Sequence, residues 1–203
     1  MRATASPCCG FKRVRVLGAL LAGGKSRRFG SDKAVAMLGT RSLIAHAIDG
    51  LRSQCDGLVL CGRTWPDMVA IDDRPSSGLG PLAGLNAALR HAATAGFDAV
   101  LCVPVDVHPL PANLRRLLAG RGARVLEIQH ALGFWPIGYG PALDRHLAGG
   151  NLSLRSWIAS SGATFVPDGA LALENVNRPE DLERLTGRLQ SSRAAASERC
   201  SAL

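Results

Sequence analysis

Two short apolar runs constrain this chain most: Leu17-Gly18-Ala19-Leu20-Leu21-Ala22 and Ala99-Val100-Leu101-Cys102-Val103. Each is too short for a buried helix, and neither alternates with polar residues as a half-exposed strand does. Such runs suit strands covered on both faces, the habit of parallel sheets flanked by helices. Helical spacing lies between them. Leu43, Ile44, Ala47, Ile48 and Leu51 repeat along one face behind Ser42, an N-cap residue type. Leu82, Leu85, Leu89 and Ala92 do the same after an uncharged, turn-rich segment at 75–84 that reads as a loop. Further strands are predicted at 58–61, 69–71, 124–129, 132–139 and 163–166. Further helices are predicted at 111–119, 141–147, 152–160 and 179–189. This alternation predicts an α/β fold with a mostly parallel central sheet and helices on both faces.

In such folds ligands sit at the carboxyl ends of the strands. Three of those ends carry polar chemistry: Gly23-Gly24 after the first strand, Asp73 after the third, and Asp106 after the strand at 97–105. Behind Gly23-Gly24 come four cations, Lys25, Arg27, Arg28 and Lys33, against one carboxylate, Asp32. A glycine turn followed by clustered cations can hold polyphosphate, because turn amides point at phosphate oxygens while Lys and Arg neutralise them. A carboxylate beside such a loop is placed to hold Mg²⁺, which takes few protein ligands and keeps contact with phosphate oxygens. Asp106 fits that role, or equally a capping role for the next turn. Asp73 could also simply cap a turn. His108, two residues beyond Asp106, is expected to line the crevice, whereas His46, His91 and His146 fall on predicted helices as packing or surface residues.

A chain of 203 residues is long enough for one domain with a full core. The reading is a flexible basic leader over 1–13, a single domain over 14–190, and a disordered Ser/Ala-rich tail over 191–203. The net charge of +8 suggests nucleic acid until it is mapped. The first fifteen residues hold four basic residues and no acid, and the last sixteen hold three and one, so the body between them carries only +2. A nearly neutral body with its cations gathered at one loop suits a small anionic substrate better than a polynucleotide. No apolar run approaches the ~18 residues of a membrane span. The six cysteines show no C-x-x-C pair and no zinc spacing, which points to a reducing, cytoplasmic setting.

Familiar motifs are missed. ALLAGGKS would be a P-loop if Ala19 were glycine, and neither the dinucleotide G-x-G-x-x-G nor the hydrolase G-x-S-x-G pattern occurs. Another pattern does occur. LAGGKSRRFGSDKA at 21–34 resembles the signature loop of the molybdenum cofactor guanylyltransferases, departing at Phe29 where Met is usual. GPLAG at 80–84, VPVDVHPLP at 103–111, GFWPIGYGPAL at 133–143, NLSLRSWI at 151–158 and NVNRPEDL at 175–182 resemble that family's later motifs, in order.

The resemblance implies a Rossmann-like nucleotidyltransferase fold and transfer of GMP from GTP to the molybdenum-molybdopterin cofactor, with release of pyrophosphate. Carried over residue by residue, Leu21, Ala22 and Gly23 would contact guanine and ribose through backbone, Lys33 would bind phosphate, Asp73 would contact the nucleotide, and Asp106 would bind nucleotide and Mg²⁺. Lys33 and Asp106 are the catalytic candidates; Arg28 and Asn177 are weaker site candidates. Molybdenum cofactor insertion and carrier proteins are further partners it allows, with no nucleic acid and no membrane. A CTP-dependent relative, or another small-molecule nucleotidyltransferase, is the alternative. The pair Gly23-Gly24, where cytidylyltransferases tend to carry Ala-Gly, favours guanine. A non-catalytic nucleotide-binding protein is disfavoured by the presence of both Lys33 and Asp106. Two departures stand out: Asp106-Val107-His108 in place of D-x-P, and Arg178 where Thr usually caps the last helix.

Overall fold

The structure is a computed structural model that describes residues 13–23, 29 and 32–188. The tail at 191–203, and the leader apart from Arg13, lie outside the described residues. A seven-stranded sheet forms the centre. Its strands are β1 (Val16–Leu21), β4 (Gly57–Cys61), β5 (Val69–Ile71), β6 (Ala99–Pro104), β8 (Arg124–Leu126), β9 (Gly133–Pro136) and β10 (Thr164–Val166). Two small ladders sit apart from it: β2 (Met37–Leu38) with β3 (Arg41–Ser42), and β7 (Val107–His108) with β11 (Glu174–Asn175). The sheet order is β10-β8-β9-β6-β1-β4-β5. β5, β4, β1 and β6 pair in parallel, as do β8 and β10, while β9 runs antiparallel between β6 and β8. The expected mostly parallel sheet is therefore present, with one reversed strand.

The two apolar runs do what their composition requires. Along β6, Ala99, Leu101 and Val103 enter the core on one face of the sheet, and Val100 and Cys102 enter the core on the other. β1 divides the same way, Val16 and Leu20 against Leu17 and Ala19. Helix α1 (Leu43–Arg52) and the short α3 (Leu114–Leu118) cover the first face. Helices α2 (Pro81–Thr94), α4 (Gly140–Ala148) and α5 (Leu154–Ser161) cover the second. A last helix spans 179–188 and packs Leu185 with Phe29, Leu38, Leu43 and Val176. None of the described helices is long and apolar enough to cross a membrane.

Several boundaries move, each for a local reason. Ser42 caps α1 as expected, its hydroxyl accepting the Ala45 amide at 3.4 Å. The segment 75–84 is a loop only to Gly80, because Pro81 is already the first residue of α2. β8 stops at Leu126, not 129, because the buried Asp168 carboxylate takes the amides of Ile128 (2.9 Å) and Gln129 (3.0 Å) out of any ladder. α3 is only five residues long: the Pro111 carbonyl is committed to the Leu114 amide and to Gln54 Nε2, which holds 111–113 in a turn.

Asp56, just before β4, ties the open end of β1 to α3. It accepts the Val16 amide at 2.8 Å and pairs with Arg115 (3.1 Å) and Arg13 (2.8 Å). The Val16 amide first, then Arg115 and Arg13, hold this carboxyl below the usual carboxylate range. A depressed carboxyl binds fewer protons in the native state than in the unfolded one. Its stabilisation is thus full above the unfolded value of about 3.9 and is lost as pH falls through the native value. The acid limb of stability, measured by denaturant midpoints from pH 6 to 2, should be shallower in Asp56→Asn than in the parent. Equal slopes would remove Asp56 from that account.

Candidate active site

A crevice of about 320 Å³ opens where the carboxyl ends of β1 and β6 meet the start of α2. Leu21, Ala22 and Gly23 form one wall, Asp32, Lys33 and Ala34 a second, Gly80 and Pro81 a third, and Pro104, Val105 and Asp106 the floor. The GPLAG motif explains itself here. Its last glycine, Gly84, lets α2 lie against the sheet, since a Cβ there would stand 2.6 Å from Leu21 Cδ2. That approach brings the N-terminus of α2 to the crevice, with no side chain among the described residues capping it. The positive end of a 14-residue helix is thus turned toward an anion site.

The structure brings the two candidates Lys33 and Asp106 together. Lys33 Nζ donates to Asp106 Oδ2 at 2.7 Å and to Asn177 Oδ1 at 3.3 Å, so the weaker candidate Asn177 also belongs to this cluster. The Lys33 and Asp106 side chains are 15% and 21% exposed, partly shielded yet open to a ligand. Asn177 arrives from 71 positions further along the chain through the small β7–β11 ladder, in which Asn175 lies opposite Val107 and the Val176 amide bonds the Asp106 carbonyl at 2.8 Å. The absence of Thr at 178 is made good locally: the Asp181 carboxylate accepts the amides of Asn177 and Arg178, both at 2.9 Å, the reaching-back half of a capping box.

The β1 end divides its backbone between fold and crevice. The Leu21 carbonyl accepts the Val105 amide (3.2 Å), and the Ala22 amide donates to Cys61 (3.1 Å). Gly23 is left with no hydrogen bond to its amide among the described residues. Asp73 does not line the crevice. It lies behind Gly23, where an added Cβ would come within 3.0 Å of its Oδ2. Burial, helped by the neighbouring Asp72, pushes its carboxyl up from the usual range. His108 is a correction. It is 3% exposed, donates through Nε2 to the Val105 carbonyl at 2.9 Å, and meets His46 edge to face, so it supports the floor from beneath. Burial foremost holds its imidazole below the ordinary value, against the pull of the Val105 bond, which favours the charged form. Arg28 lies outside the described residues.

Asp32 and Arg63 form a pair across the chain that no local pattern in the sequence announces. Arg63, two residues past β4, forks onto both carboxylate oxygens of Asp32, with the NH1–Oδ1 contact at 2.9 Å. The spacing of 31 residues gives no local signal beyond an Arg placed just past a strand end. For a metal, the donors on hand are oxygens, Asp106 and Asn177 Oδ1, and no group of three His, Cys, Asp or Glu side chains forms among the described residues. A carboxylate and an amide oxygen at the crevice edge suit a hard ion that keeps most of its shell as water and phosphate.

With this geometry in place, relatives can be compared. Residues 18–167 match the family profile of the MobA-like NTP transferase domain. A molybdenum cofactor guanylyltransferase of Cereibacter sphaeroides is 36% identical over 188 residues, covering 84% of this chain and 95% of the relative. One of Rhodobacter capsulatus is 32% identical over 191 residues, 88% of this chain and 99% of the relative. Among solved structures, molybdopterin-guanine dinucleotide biosynthesis protein A from Archaeoglobus fulgidus superposes with a TM-score of 0.72 at 20% identity, over 87% of this chain and 99% of that one. CTP:phosphocholine cytidylyltransferase from Streptococcus pneumoniae shares the fold at 0.63 and 12% identity, over 87% and 100%. The ordered motifs, the nucleotidyltransferase-like sheet and this level of identity agree: the chain belongs to the MobA-like NTP transferase family, among the molybdenum cofactor guanylyltransferases.

Proposed function

We propose that this protein transfers GMP from GTP to the phosphomonoester of the molybdenum-molybdopterin cofactor, forming the guanine dinucleotide cofactor and releasing pyrophosphate. The meeting of Lys33 and Asp106 in the crevice, with Asn177 bonded to Lys33, carries the reading. The acceptor phosphate oxygen attacks the α-phosphorus of GTP in line, a new P–O bond forms, and the bond to the β-phosphate breaks with its electron pair on pyrophosphate. The acceptor is already anionic, so no strong general base is needed. Catalysis rests on alignment and charge neutralisation.

In this reading the Gly23 amide and the α2 N-terminus hold the nucleotide, Lys33 neutralises phosphate, and Asp73, set behind Gly23, shapes the wall that the nucleotide meets. Asp106, with Asn177 beside it, would hold Mg²⁺. That ion, when bound, supplies further neutralisation of the transferred phosphate. The guanine preference has a physical correlate. An alanine at position 23 would press on Asp73 Oδ2 at 3.0 Å and on Gly62 Cα at 3.3 Å, reshaping the wall that Leu21–Gly23 present.

Incubation with molybdenum cofactor, GTP and Mg²⁺, followed by mass analysis, should yield the guanine dinucleotide. Calorimetric titration with Mg²⁺ present should show GTP binding more tightly than CTP. Tighter CTP binding would overturn the base assignment, and no dinucleotide with either nucleotide would overturn the reaction.

A further inference from the structure

The Arg63–Asp32 pair links the end of β4 to the end of the cation-rich loop, and it does so at the residue next to Lys33. Asp32 has two tasks. Its carboxylate takes the Arg63 fork, and its Oδ1 also accepts the Ala34 amide at 3.1 Å, which caps the turn Lys33–Val35. The turn sets the direction of the Lys33 stem, and Lys33 Nζ then reaches Asp106 at 2.7 Å. The chain of contacts thus runs from Arg63 to Asp32, to the backbone of the turn, to Lys33, to Asp106.

Three further observations single this pair out. Arg63 spends both terminal nitrogens on Asp32, while its Nε is buried with no acceptor among the described residues, so the carboxylate is what fixes this guanidinium in place. The Arg63 guanidinium, first among causes, holds the Asp32 carboxyl below the usual carboxylate range. Asp32 itself lines the crevice, so the brace stands beside the ligand space and not in the distant core.

We propose that Arg63 is a positioning residue for the transfer reaction: through Asp32 it fixes the turn that aims Lys33 at the phosphate and at Asp106. This rests on the functional reading above. A planar two-pronged fork is what makes the brace directional, and a lysine ammonium cannot reproduce it. Loss of the brace leaves Lys33 present but free to wander by an ångström or so, a displacement that costs roughly 10- to 100-fold in rate.

The test is a set of single-turnover pyrophosphate-release assays on the full chain with molybdenum cofactor, GTP and Mg²⁺. Arg63→Met and Asp32→Asn should each lower the maximal rate by roughly 10- to 100-fold. The double variant should be no worse than the poorer single one, since both break one contact. Arg63→Lys should recover little. In a Lys33→Met background, Arg63→Met should cost less than threefold, because the group it positions is already gone. The proposal is overturned if Arg63→Met lowers the rate by the same factor in both backgrounds. It is also overturned if Arg63→Lys restores the parent rate, or if the maximal rate is unchanged and only the KM for GTP rises. Should Arg63→Met prove insoluble, Asp32→Asn in the two Lys33 backgrounds decides the matter by the same criterion. An inactive parent protein would instead count against the functional reading and is scored first.

Discussion

Asp106→Ala should lower single-turnover pyrophosphate release by roughly a thousandfold or more at saturating GTP and Mg²⁺. The reason lies in what the carboxylate touches. Asp106 Oδ2 fixes Lys33 Nζ at 2.7 Å, while the partly exposed carboxylate lines the crevice with Asn177 close by. Alanine removes the negative charge that would hold Mg²⁺ and releases Lys33 at once. The fold should survive, because the ladder at this point is held by the Asp106 carbonyl and the Val176 amide, which alanine keeps. Asp106→Asn sharpens the test. Asparagine has the same shape and can still accept a hydrogen bond from Lys33, but it is neutral and a poor ligand for a hard divalent ion. If Asp106 were only a cap, Asp106→Asn would work nearly as well as the parent. On the present reading it is almost as impaired as Asp106→Ala, with a melting temperature close to the parent's. Near-normal turnover in Asp106→Asn would remove both the metal and the phosphate role from this residue.

What could be read from the sequence divides along physical lines. β1, β6 and α1 were legible because their signal is local: continuous apolar runs, a 3.6-residue period, and Ser42 in capping position. Lys33 and Asp106 were legible as ligand candidates because the ends of parallel strands share one edge of a sheet. Pairing across that edge was not legible. Nothing in 124–136 announces that β9 runs against its neighbours, since strand direction is set by connections and register and not by composition. The early end of β8 depends on Asp168, some 40 residues later in the chain. His108 looked like a crevice residue by proximity in sequence, but the turn after Pro104 sends its ring inward against His46. Asp73 looked like a crevice residue by its place at a strand end, yet three glycines, 23, 62 and 84, leave a recess that its carboxylate occupies behind the wall. Arg63 carried no motif at all; its meaning appears only when Asp32 is found in its fork.

That recess also gives the second large expected effect. Gly62 sits at φ +79° directly behind Gly23. A Cβ at position 62 would stand 2.7 Å from Gly23 Cα, 3.1 Å from the Gly23 nitrogen and 3.2 Å from Asp73 Oδ1. Two costs therefore separate in Gly62→Ala. One is the left-handed backbone, about 1–2 kcal/mol for any residue with a Cβ. The other is a collision with main chain, which no rotamer can relieve; either β4 or the Leu21–Gly23 wall has to move. β4 is locked between β1 and β5, so the wall is the part that yields. Gly162→Ala is the matching control. It has a similar φ of +69°, nothing lies within 4 Å of its added Cβ, and it ends α5, none of whose residues lines the crevice. Both variants should lose comparable stability from backbone strain, read as a shift in denaturant midpoint. Only Gly62→Ala should also weaken GTP binding, by roughly tenfold or more by calorimetry, equivalent to at least about 1.4 kcal/mol. Equal GTP affinity in the two variants would mean that Gly23 and its neighbours do not form the nucleotide wall, and the site would have to be sought elsewhere along the carboxyl edge of the sheet.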